Sequence, residues 1–278
     1  MGTGTATSRF GRPQLTAVST LTFQERKRAG EKIAMLTAYD YPTARLIDEA
    51  GIDAILVGDS VGMAVMGHTD TLSVTMDDMV HHTRMVSRAA KRAFVVADMP
   101  FLSYQVNHEE ALRNAGRLVA EAGAKAVKLE GPASSYGDAM QTILRAGVPV
   151  MGHLGLTPQS VHKLGGYRVQ GRDAAGRQQL LDDARALEAV GCFALVLECI
   201  PADLAEEITQ ALSIPTIGIG AGAACDGQVL VFHDMIGWGQ TRFSKTFRDV
   251  KGLMTEACDE YVREVRGGSF PAAEHTFK

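Results

Sequence analysis

Short apolar runs recur along the chain, each bounded by glycine, proline or a charged residue. They lie at residues 33–37, 54–57, 94–98, 126–130, 148–153, 193–198, 214–220 and 229–232. Runs this short and this apolar read as strands buried on both faces. The stretches between them carry a different period. Ala111, Leu112, Ala115, Leu118, Val119 and Ala122 fall on one helical stripe, as do Leu180, Ala184 and Leu187. Helices are therefore predicted over 41–50, 75–91, 107–122, around Met140 to Leu144, and over 178–190, 202–212 and 248–265, with a short charged helix at 21–30. Thr75 with Asp78, and Asn107 with Glu110, have the spacing of helix starts, where the first side chain caps backbone N–H groups and the acid suits the first turn.

Strands alternating with helices imply parallel pairing through right-handed crossovers. Eight such units predict a single α/β domain, a (β/α)8 TIM barrel over residues 21–278. The unit between Gly222 and Val229 lacks a convincing helix and is read as degenerate. An open doubly wound sheet is the alternative. It gathers its ligands at one switch point, whereas here the chemical residues come from at least five strands, whose ends a barrel brings to one mouth.

The length, 278 residues, suits one such barrel, which commonly needs about 250. A net charge of −4 provides no basic face for nucleic acid, and no apolar run is long enough for a transmembrane helix. Residues 1–20, rich in Gly, Thr and Ser, lack the apolar core of a secretion signal and read as a disordered tail, an organellar transit peptide being the sharper alternative. Cys192, Cys199, Cys225 and Cys258 show no metal or disulfide spacing, and suit buried, reduced thiols in a cytoplasmic protein.

Four of the predicted strands end in an acid: Asp59 just past Ala54-Ile55-Leu56-Val57-Gly58, Asp98, Glu130 and Glu198. Asp59, Asp98 and Glu130 are hard oxygen ligands, and three carboxylates converging without His or Cys companions favour Mg²⁺. Lys128 shares a strand face with Glu130 and could hold a substrate carboxylate or form a structural ion pair. Ser60 could reach the same anion or cap the next segment. Glu198 ends a strongly apolar strand, which suits a general base; metal ligation and a salt bridge are the alternatives. His153 could bond a substrate oxygen or be structural. His81 and His82 are not spaced for a shared metal and read as surface. Gly218-Ile219-Gly220-Ala221-Gly222 lacks the rest of a nucleotide fingerprint and reads as close backbone packing at the rim.

Taken in order, Thr37-Ala38-Tyr39-Asp40-Tyr41, Val57-Gly58-Asp59-Ser60, Ala97-Asp98-Met99-Pro100-Phe101, Val127-Lys128-Leu129-Glu130-Gly131, Gly152-His153-Leu154-Gly155-Leu156-Thr157-Pro158-Gln159-Ser160, Gly165-Gly166-Tyr167 and Gly218-Ile219-Gly220-Ala221-Gly222 resemble the ketopantoate hydroxymethyltransferase family from about residue 21 onward. Pro132 departs from the glycine common there. The resemblance implies a (β/α)8 barrel assembled as a homo-decamer. It also implies transfer of a one-carbon unit from 5,10-methylenetetrahydrofolate to 3-methyl-2-oxobutanoate through a Mg²⁺-stabilised enolate, giving 2-dehydropantoate in pantothenate synthesis. Carried over, Asp59, Asp98 and Glu130 match the metal site, Asp59, Ser60, Asp98 and Lys128 the oxo-acid contacts, and Glu198 the proton acceptor. The competing enzyme class is the phosphoenolpyruvate mutase and isocitrate lyase type, which commonly uses a Cys after strand four; no Cys lies between Glu130 and Val190. A silent oxo-acid-binding module is the non-enzymatic alternative.

Overall fold

The computed structural model describes residues 16–239 and 241–277. Eight parallel strands close into a barrel in sequence order: β1 (Ile33–Thr37), β2 (Ala54–Val57), β3 (Phe94–Asp98), β4 (Ala126–Glu130), β5 (Val150–Gly155), β6 (Ala194–Glu198), β7 (Thr216–Ile219) and β8 (Gly227–Leu230). The last strand lies two residues earlier than its apolar run suggests. The helices are α1 (Thr20–Ala29), α2 (Tyr41–Ala50), α3 (Val61–Ala64), α4 (Met76–Ala89), α5 (His108–Gly116), α6 (Ala133–Arg145), α7 (Val161–Leu164), α8 (Ala174–Val190), α9 (Ala202–Ala211), α10 (Phe232–Met235) and α11 (Val250–Gly267). No helix is described between β7 and β8, as expected of the degenerate unit.

The chain forms two compact units, one ending at Val231 with the barrel and one from Phe232 onward with α10 and α11. Among the described residues no helix is long and apolar enough to cross a membrane.

Helix starts follow local chemistry. Thr75 accepts from Asp78 N–H while Asp78 accepts from Thr75 N–H, a reciprocal cap on α4. Asn107 accepts from Glu110 N–H at 2.8 Å and starts α5, which passes into a π-helical turn at Arg117–Glu121. Pro132 precedes the first turn of α6 in an extended conformation, which a proline there tolerates.

Most of the predicted tail lies outside the described residues, but its end is built into the fold. Val18 is buried and its N–H donates to the Arg92 carbonyl, so ordered structure begins before residue 21. Helix α1 buries Phe23 edge-on against Phe94 and Phe193, at 5.7 and 5.4 Å between ring centroids. These rings stand at the N-terminal ends of β3 and β6, so α1 closes that end of the barrel. Above it, alternate residues fill the interior: Met35, Leu56, Val96, Ala126, Met151, Val196, Ile217 and Val229. The opposite, C-terminal end is left to polar side chains.

Candidate active site

Strand alternation decides which residues reach the barrel interior. On β3, Phe94 and Val96 point inward, so Asp98 does too. On β4, the inward Ala126 is followed by Lys128 and Glu130; on β5, Met151 by His153; on β6, Ala194 and Val196 by Glu198. The strand register then places these groups side by side: Asp98 is paired with Lys128 and Glu130 with His153.

Lys128 Nζ lies 3.0 Å from Asp98 Oδ1, 3.7 Å from Glu130 Oε1 and 3.1 Å from His153 Nδ1. The Asp98 contact is a buried ion pair through Oδ1. The other oxygen, Oδ2, accepts from Asp59 N–H at 3.0 Å. This places Asp59, one residue past the inward Gly58, beside Asp98. A side chain at position 58 would press on Ser60 Oγ and Asp98 Oδ2, so glycine lets the two acids approach.

Charge in this chamber is concentrated: Asp59, Asp98, Lys128, Glu130 and His153 are all buried. Burial, and then the neighbouring carboxylates, raise Asp59 well above the usual carboxylate range. Asp98 is also raised, chiefly by burial, with Lys128 opposing. Burial would raise Glu130 as well, but His153, Lys128 and the Gln159 N–H outweigh it and hold it low. Burial disfavours the Lys128 cation, yet Asp98, Glu130 and Asp59 together push its pKa up. His153 meets burial and Lys128 as opposing influences; Glu130 and Glu198 overcome both and raise it to about 9.

Glu198 is less enclosed than its apolar strand suggests, with a side chain 16% exposed and Oε2 3.3 Å from His153 Nε2. Ser60 stands at the start of α3 without capping it; its Oγ is 2.8 Å from Tyr39 OH. His82 is half-buried rather than superficial, its Nδ1 2.7 Å from the Tyr39 carbonyl. The Gly-rich segment fits the packing reading: a side chain at position 222 would strike Ala202, and one at 218 would crowd Cys225. Cys192, Cys199 and Cys225 are buried, but Cys258 is exposed.

The residues singled out from sequence therefore meet at one end of the barrel. The chain also contributes groups that sequence reasoning passed over. Gln159 is buried between Asp59 and Glu130, and Tyr104 is buried behind it. Gln159 stands within a motif already singled out, but a neutral amide gives no titratable signal of its role.

Among the described residues no trio of His, Cys, Asp or Glu side chains forms a ready-made metal cage. Both oxygens of Glu130 are engaged by protein groups: its Oε2 accepts from Gln159 N–H, and Oε1 lies near Lys128 and His153. The donor set nonetheless suits Mg²⁺. That ion keeps several waters and takes one or two carboxylates, with substrate oxygens completing its shell. Asp98 Oδ1 is buried and paired with Lys128, which leaves it a lone pair that such an ion would satisfy. Three buried carboxyl groups, with Glu198 beside them, face one lysine and one histidine, an acid-rich lining that suits a cation.

A family model described as ketopantoate hydroxymethyltransferase matches residues 17–273. The 3-methyl-2-oxobutanoate hydroxymethyltransferase of Clostridium novyi is 57% identical over 260 residues, covering 92% of this chain and 94% of the relative. That of Enterococcus faecalis is 54% identical over 261 residues, covering 93% and 94%. Similar solved structures include a phosphonopyruvate hydrolase in complex with oxalate and Mg²⁺, with TM-score 0.63, 12% identity and coverage of 93% of each chain. A 2,3-dimethylmalate lyase of the phosphoenolpyruvate mutase/isocitrate lyase superfamily has TM-score 0.60 and 16% identity, covering 95% of this chain and 93% of its own. At such identities the structural likeness concerns the barrel alone. The sequence match is of another order, running nearly end to end with more than half of aligned positions identical. The chain belongs to the ketopantoate hydroxymethyltransferase family and is an enzyme of the transferase class.

Proposed function

We propose that the enzyme transfers the one-carbon unit of 5,10-methylenetetrahydrofolate to C3 of 3-methyl-2-oxobutanoate, giving 2-dehydropantoate, the first step toward pantothenate. The observation that carries this reading is the pairing of adjacent buried acids, Asp59 and Asp98, with a lone buried ammonium, Lys128. A 2-oxo acid presents complementary chemistry: a carboxylate for the lysine and a ketone oxygen for a divalent ion. Asp59 and Asp98 would hold Mg²⁺ directly, with Glu130 supplying negative charge beside them. When bound, that ion would polarise the ketone and stabilise the negative charge that develops on its oxygen.

The protein groups have separate tasks. Lys128 anchors the substrate carboxylate, and its fixed place between Asp98 and His153 sets the direction in which the substrate lies. Ser60, tied to Tyr39, lines the same end. Glu198, at the more open side, takes the proton from C3. His153 Nε2 faces Glu198, so its proton is placed to hold that carboxylate or to bond a substrate oxygen. In the neutral ring Lys128 claims Nδ1 as acceptor, which keeps the proton on Nε2. The nucleophilic C3 then bonds to the folate methylene carbon and water supplies the oxygen of the product hydroxyl, while both carbon–nitrogen bonds of that methylene break. Tetrahydrofolate leaves with the proton taken from C3 and one proton from the water on its two nitrogens. Segments after β2 and β5 approach over this end, where Tyr167 OH lies 3.7 Å from Met63 Sδ, and suit a lid that limits water. The same reading includes a homo-decameric assembly.

Tetrahydrofolate release from 5,10-methylenetetrahydrofolate, followed with 3-methyl-2-oxobutanoate as acceptor, tests the proposal. Release is expected to require the oxo acid, to cease in EDTA and to return with Mg²⁺. Release that is indifferent to EDTA would contradict the metal assignment, and none with any metal would contradict the reaction.

A further inference from the structure

Gln159 has no task in the reaction just described, yet every hydrogen-bonding position of its buried amide is taken. Its Nε2 donates to Asp59 Oδ2 at 2.8 Å and to the Met99 carbonyl at 2.9 Å. Its Oε1 accepts from Tyr104 OH at 2.9 Å and from Gln105 Nε2 at 3.0 Å. Its backbone N–H donates to Glu130 Oε2 at 3.0 Å. One residue therefore grips two carboxylates that lie 71 positions apart in the chain, one through its side chain and one through its main chain.

The surrounding contacts fix which end of the amide faces Asp59. Gln105 Oε1 accepts from Tyr104 N–H at 3.3 Å, which turns Gln105 Nε2 toward Gln159 and demands an oxygen there. Tyr104 receives Glu130 N–H at 3.2 Å, so its single hydroxyl proton is directed to Gln159 Oε1 or to the Glu130 carbonyl at 3.0 Å. Gly155 brings the loop into place. Its φ of +94° turns the chain at the end of β5, where a side chain would run into the Glu198 carbonyl.

Neighbouring carboxylates repel, and each is free to rotate away from the other. A neutral N–H donor holds a carboxylate without adding a positive charge that would compete with a cation. We propose that Gln159 is a positioning residue for the metal site: its amide and its backbone N–H hold Asp59 and Glu130 at a set spacing, so that the ion meets a preformed arrangement of oxygens. This inference rests on the metal reading given above. Outer hydrogen-bond partners of this kind typically change metal affinity by about 10- to 100-fold when removed.

The test uses the full chain without substrates and Mn²⁺ as the probe, with free ion quantified by electron paramagnetic resonance. Gln159→Met keeps the backbone bond to Glu130 and removes the grip on Asp59; it is expected to weaken Mn²⁺ binding about 10- to 100-fold. Thermal melting of the same samples separates this from a merely structural role, which would lower Tm and leave the affinity of the folded protein unchanged. Should Gln159→Met not fold, Tyr104→Phe removes one supporting hydroxyl and is expected to weaken binding about two- to tenfold. Unchanged affinity in the folded variant would overturn the proposal while the metal reading stands. A wild-type chain that binds no Mn²⁺ would overturn both.

Discussion

At the scale of single residues, chemistry is set by which neighbours the strand register supplies. Asp98 and Glu130 are both buried strand-end acids, yet they are shifted in opposite directions. Burial pushes each of them up. At Glu130 the imidazole of His153 and the Gln159 N–H overcome it, whereas at Asp98 the opposing Lys128 does not. Glu198 differs again, because it is the acid nearest the open side. It is thus the carboxylate with room to exchange a proton with substrate, while Asp59 and Asp98 are walled in. Glu198→Gln keeps the shape and removes the base; turnover should fall about 10²- to 10⁴-fold, with Mn²⁺ affinity close to wild type. Steady-state kinetics and metal titration on one preparation check this, and near-normal turnover would remove Glu198 from the role. Much of this was legible in the sequence. Period-two alternation puts Lys128 and Glu130 on one face, and each acid closes its own apolar run. Gln159 and Tyr104 were not legible as site residues, because their importance lies in contacts between loops 55 residues apart, which no local pattern encodes.

At the scale of elements, the period of apolar residues and the helix caps located most of the structure. Thr75 and Asp78 form the reciprocal cap their spacing predicts, and α8 buries Leu180, Ala184 and Leu187 as its stripe requires. Two elements exceed their sequence signal. Helix α8 starts at Ala174, capped by Asp173, rather than at residue 178, because the glycine at position 176 hides a helical start. Helix α1 looks like a charged surface helix; its single buried residue, Phe23, does the packing. That ring closes the barrel end opposite the acids, and Arg26 with Arg92 neutralises the buried Asp53 beside it. Phe23→Ala would open a cavity against Phe94 and Phe193 and should cost about 3–5 kcal/mol. Urea denaturation would measure the loss, and a change below 1 kcal/mol would mean that α1 is dispensable to the barrel.

At the scale of the whole molecule, the closed sheet gathers negative charge at one end, and that has a consequence for stability. Asp59 and Asp98 bind protons more tightly in the folded chain than in the unfolded one, so raising the pH past their elevated values destabilises the fold. His153, raised from 6.5 to about 9, contributes stability that is complete below 6.5 and lost as pH climbs through 9. Glu130, held low, contributes stability that is present at neutral pH and is lost only in acid, as pH falls through its lowered value. Without divalent metal, stability is therefore expected to decline between pH 6.5 and 9. Mg²⁺ should offset more of that decline at the alkaline end, since it displaces protons from Asp59 and Asp98. Melting curves at several pH values, with Mg²⁺ and with EDTA, check the sign. The most direct measurement is anomalous diffraction from crystals soaked with Mn²⁺ and 3-methyl-2-oxobutanoate. The account predicts one strong peak touching Asp59 and Asp98, with the oxo-acid carboxylate beside Lys128. A bound oxo acid with no ion between those two aspartates would contradict it.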